Sequence, residues 1–143
     1  MVRRQDKFPN DTGDKQVKIL SKYSDSIYAV MRMVSGAMFT LHGAQKIFGW
    51  WAQNETAVGS QIWFGGLIEL VGGLLIAVGF QTRIAAFIAS GTMAVAYFQF
   101  HWGFELSSKI LPLVNHGDGA VLYSFLFLYI ASKGAVQWGI DRD

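Results

Sequence analysis

Ile62–Phe80, IWFGGLIELVGGLLIAVGF, is a nineteen-residue apolar run with one ionisable side chain, Glu69, near its middle. As a helix this length covers the hydrocarbon core of a bilayer, because about 20 residues rising about 1.5 Å each span about 30 Å. An acidic side chain at mid-helix costs upward of about 2.5 kcal/mol in lipid, so Glu69 is expected to be protonated, paired or turned toward other helices. Gly65, Glu69, Gly72, Ile76 and Gly79 recur at spacings of three or four, which predicts a face of almost no bulk on which another helix packs.

Working outward, three more apolar runs accompany the first. Ser26–Phe48 is broken by Arg32, His42 and Lys46; Arg83–His101 follows the central run after a two-residue turn; Asp118–Trp138 closes the chain. So short a turn predicts an antiparallel hairpin. In the first run Arg32, Gly36, Phe39, Gly43 and Lys46 share one helical side, which predicts that this side faces protein. The expected fold is an all-α integral membrane protein, an antiparallel four-helix bundle with spans near residues 26–48, 62–80, 83–101 and 118–138. A polar basic tail (1–25) precedes this membrane domain (26–138) and a short tail (139–143) follows. Residues 16–23 suit either a surface helix or a linker.

The composition fits. Of 143 residues, 52% are hydrophobic, and the mean hydropathy of +0.29 exceeds what a soluble domain needs. The absence of cysteine excludes disulfides, thiolate metal sites and cysteine nucleophiles together. Six of twelve Lys and Arg residues lie before Ile27, with no base-reading motif beside them, so their charge bears on topology and not on nucleic acid. No short apolar segment with a small-residue cleavage site follows the first basic residues, so the tail is expected to be retained. With both termini in the cytoplasm, nine basic residues lie inside and only Lys46 and Lys109 outside.

This topology sets depth. His42, Glu69, His101 and Asp118 fall in one leaflet half, with Lys46 and Asn115 at the same level. Arg32 stands ten positions from His42, roughly 15 Å along the axis, and is a poor partner for Glu69. Glu69 is therefore expected to bond His42 or Lys46, and Glu69, His42, Lys46, His101, Asn115 and Asp118 to line a polar pocket in the outer half. The pocket suits a proton relay or the head group of a quinone or lipid. The plainer alternative is polar glue between helices, worth under about 1 kcal/mol per contact. A haem or metal on His42 and His101 is disfavoured, since two histidines without a spacing motif are a weak ligand set. His116 reads as a solvated loop residue.

Four segments carry a family resemblance: Arg32 followed by LHGAQKIFG (Leu41–Gly49), Glu69 through the glycine pair to VGFQTRIAA (Val78–Ala86), MAVAYFQFH (Met93–His101), and NHGDGAVLYSFLFLY (Asn115–Tyr129). Together they resemble the DoxX family of small four-span membrane proteins, over Ser26 to Trp138. Asp118 stands where that family usually has Glu, and Gly119 where it has an apolar residue. The resemblance implies a bacterial inner-membrane accessory subunit of a respiratory or redox complex, mainly structural, partnered by lipid and by other membrane subunits. It also admits a quinone-coupled oxidoreductase component with its own activity, or a lipid-handling or transport protein.

Overall fold

The computed structural model describes residues 18, 20–52 and 54–141, and all regular structure among them is helical. Most of the basic tail lies outside the described residues. Helix α1 (Ser24–Phe48) ends at left-handed Gly49. Helix α2 (Gln61–Val78) starts where Ser60 Oγ accepts from Trp63 N. It stops at Gly79, whose φ of 71° lets Phe80 N reach back to Leu75 O at 2.9 Å. Helix α3 (Thr82–Ala96) continues into a π-helical turn, Tyr97–Trp102. A short helix α4 (Pro112–Asn115) leads into α5 (Asp118–Lys133).

Helices α2 and α3 are long and apolar enough to cross a membrane; with the π turn, the second segment runs Thr82–Trp102. Helix α5 has 16 residues, about 24 Å of rise. The expected span to Trp138 is therefore too long: the helix ends at Lys133, and the chain turns across the base of the molecule. Large apolar side chains on the outer faces stay exposed, among them Phe87 at 66%, Leu122 at 70% and Phe125 at 69%.

The tightest contact joins α1 to α2, and glycine makes it. A Cβ at Gly36 would lie 2.6 Å from Ala77 N, and one at Gly73 2.5 Å from Thr40 N, so the two backbones touch. Of the stripe expected from the sequence, Glu69, Gly72 and Ile76 are buried, and a Cβ at Gly72 would lie 4.0 Å from Ala85 O of α3; it is the adjacent Gly66 and Gly73 that meet α1, and a Cβ at Gly65 would meet nothing within 4 Å. Paired glycines place two adjacent stripes on one helix, and spacing does not say which of them a neighbour takes. On the far side of α1, Phe39 packs its ring 4.7 Å from that of Phe127 on α5.

Of the expected C-terminal tail, residues 139–141 pack against the fold. Arg32 is fully buried, and its guanidinium donates from Nη1 to Ile76 O and Ala77 O, and from Nη2 to Gln137 O and Trp138 O at 3.0 Å. Ile140 N and Asp141 N then bond Val78 O and Gly79 O. Gly79 has no room for a side chain here, because a Cβ would fall 2.5 Å from Gly139 Cα.

Asp141 caps α3. Its carboxylate accepts from Thr82 N and Thr82 Oγ1 at 2.8 Å and from Gln81 N at 2.9 Å, at the positive end of the helix. The backbone N–H of Thr82, foremost, holds this carboxyl below the usual range. A depressed folded-state pKa contributes stability above the unfolded value of about 3.9, and that contribution is lost as pH falls through the folded value. Asp141→Ala is therefore expected to lower stability at pH 7 by about 0.5–2 kcal/mol, as for other lost caps. The gap to wild type should shrink below about pH 4. Detergent-solubilised melting curves at pH 7 and pH 3.5 check this; a gap that widens in acid would refute the capping role.

Candidate functional site

At the end of the molecule opposite Arg32, α1 and α2 bring a lysine onto a carboxylate. Gly66 lets the Lys46 stem cross α2, since a Cβ there would lie 2.7 Å from Lys46 Cβ. One turn on, Lys46 Nζ reaches Glu69 Oε1 at 2.5 Å. Glu69 is 3% exposed and Lys46 about one-third exposed, so the pair runs from interior to rim. Lys46 also sits in the last turn of α1, where a cation is favoured by the helix dipole. The other oxygen, Glu69 Oε2, is buried without a hydrogen-bond partner among the described residues. Such an atom forfeits its hydration and gains nothing in return.

His101 arrives on the π turn, a distortion that re-aims side chains and recurs at functional sites. Its Nδ1 lies 3.2 Å from Asn115 O. A carbonyl only accepts, so Nδ1 carries a hydrogen and donates it.

Two cavities meet at this cluster. One of about 250 Å³ is lined by His42, Lys46, Glu69, His101 and His116 together with Phe39, Met93, Tyr123 and small residues of α5. A larger one of about 640 Å³ lies between α2 and α3, with Ile62, Phe64, Ile68, Val95 and Phe100 as apolar walls. Lys46, Glu69, Met93, Ala96 and His101 belong to both. Gln61 and Gln99 hydrogen-bond between the α2 and π-turn segments beside this cavity.

Of the six residues expected to line a pocket, His42, Lys46, Glu69 and His101 come together. Asn115 takes part through its backbone carbonyl alone, because its side chain is spent within the loop, on Lys109 O and Gly117 N. Asp118 is exposed and lines neither cavity; α5 presents Gly119, Ala120 and Tyr123 there instead. His116 is exposed, as expected, and stands at the edge of the smaller cavity. All three histidines of the chain thus border one space. Among the described residues, no group of three or more His, Cys, Asp or Glu is arranged to hold a metal ion.

A family model described as DoxX matches residues 27–102, more than half of the chain. The chain is 39% identical over 127 residues to an uncharacterized protein of Haemophilus influenzae, covering 86% of this chain and 94% of that protein. No solved structure matches.

Proposed function

The chain belongs to the DoxX family, and on that footing we propose that it is a four-span subunit of a redox assembly in a bacterial inner membrane. Its own contribution is a pocket in the outer half of the bilayer for the head group of a quinone or lipid. The observation that carries this reading is the Lys46–Glu69 ion pair at the junction of two cavities, both of which the two residues line. Two cavities converge on this pair, the larger of them walled mostly by apolar and aromatic side chains, which is the form of a small-molecule site.

Charge supports the orientation, with both termini in the cytoplasm. Arg83 and Lys133 lie together at the Arg32 end, where Arg83 Nη2 donates to Lys133 O, whereas Lys46 and Lys109 belong to the opposite half of the sequence pattern. Exposed apolar faces on α3 and α5 offer contact to lipid and to neighbouring subunits.

The test is purification of the native assembly from membranes in mild detergent. Cofactor-bearing redox subunits are expected to copurify, with a lipid-soluble ligand in the organic extract. A chain that elutes alone, carrying nothing but bulk lipid, would refute the reading. The chain has no cysteine, so one introduced at Glu105 reports orientation, and is expected to react with an impermeant maleimide added to intact spheroplasts.

A further inference from the structure

The loop that follows the second candidate membrane segment turns its apolar side chains outward. Between Gly103 and Asn115, Phe104, Leu106, Ile110, Leu111, Leu113 and Val114 are all exposed, Leu106 at 96% and Leu113 at 80%. The loop spends its polar groups inward: Tyr97 Oη donates to Ile110 O at 2.5 Å, Asn115 Nδ2 to Lys109 O at 2.7 Å and Trp102 Nε1 to Glu105 O at 2.7 Å. The two charges of this stretch, Glu105 and Lys109, pair with each other at 2.9 Å, so its net charge is zero.

Continuity says what covers this surface. The segment Thr82–Trp102 is long and apolar enough to cross a membrane, and its exposed Phe98 stacks on Phe104 of the loop, ring centroids 6.1 Å apart and 11° from parallel. Trp102 closes against both rings. One apolar surface thus runs unbroken from the candidate span into the loop. At the same end of the molecule, just beyond α1, Trp51 is 75% exposed, and tryptophan favours the level of the lipid head groups.

We propose that residues 104–114 are seated in the bilayer at the boundary between head groups and acyl chains, with lipid and not a soluble protein as their partner. A neutral, apolar seat is held by buried area and asks for no anionic lipid. The bonded carbonyls of Glu105, Lys109 and Ile110 let the backbone approach the apolar layer, where an unpaired one would be costly. The inference rests on the bilayer placement of the spans and is independent of the pocket.

The chain has no cysteine, so a spin label can be placed singly on the full-length protein in lipid nanodiscs. Labels at Leu106→Cys and Leu113→Cys are compared with Phe87→Cys, on the exposed face of α3, and Glu55→Cys, in the polar loop before α2. Oxygen, which concentrates among acyl chains, should relax the labels at 106, 113 and 87 more than a water-soluble nickel chelate does, and the chelate should dominate at 55. The depth at 106 and 113 should be shallower than at 87, and equal in zwitterionic nanodiscs and in nanodiscs containing anionic lipid. Chelate dominance at 106 and 113 with oxygen dominance at 87 overturns the seat and leaves the spans standing. Seating that requires anionic lipid assigns the contact to charge, and shielding found in native membranes but not in nanodiscs assigns it to a protein partner; either overturns the proposal. Chelate dominance at 87 as well removes the bilayer placement itself, and this inference with it.

Discussion

Arg32→Met is expected to destabilise the protein by about 3–5 kcal/mol and to free the C-terminal segment. The guanidinium is fully buried and donates to four carbonyls on two segments more than fifty residues apart in the chain. Hydrogen bonds from a charged group contribute about 1.5–3 kcal/mol each, and a buried carbonyl left unpaired costs about 1–3 kcal/mol; these terms are not additive, which keeps the total below their sum. Methionine fills the volume and donates nothing. Arg32→Lys should fall between, because an ammonium is a point charge that cannot reproduce the planar fork reaching both Ala77 O and Trp138 O. Two measurements apply: the thermal midpoint in detergent, and the rate of proteolysis within residues 134–141. A methionine variant with wild-type melting and an equally protected C-terminus would show that the latch is incidental.

Lys46→Met addresses the other end of the molecule. Breaking a buried pair by removing one partner costs about 3–5 kcal/mol, because an uncompensated charge stays behind. The figure decides between two readings, since ordinary polar glue between membrane helices is worth under about 1 kcal/mol. Lys46 is one-third exposed and partly hydrated, so the lower end, about 3 kcal/mol, is expected. The double variant Lys46→Met, Glu69→Leu removes both charges and is expected to recover most of the loss, because apolar replacement of a buried pair is often neutral or stabilising. It should nonetheless lose ligand binding. Unfolding of both single variants and the double variant gives the coupling energy directly. Losses below about 1 kcal/mol in both singles, with no coupling, would reduce the pair to glue.

These two clusters show how far one dimension of information reaches. The helices themselves were legible, because apolar length and three-to-four spacing act within a single segment. So was the pairing of Glu69 with a base one helix away: depth along parallel rods is a count of residues at a fixed rise, and Lys46 and Glu69 lie at the same height. The resemblance in the four motif segments was legible for the same reason, being carried by consecutive residues. Rotation about each helix axis was not. It put Asp118 on an exposed face and set Gly66 and Gly73 against α1 while Gly72 turned toward α3 and Gly65 toward open space. Nor could the sequence say that a polar C-terminus folds back onto Arg32. That contact uses carbonyl oxygens, which every residue carries and no side-chain pattern announces. Sequence alone determined the helical rods, the depth of each polar group along them and the chemistry available at each level; tertiary structure decided which faces meet, because facing depends on the packing of neighbours that no single helix encodes.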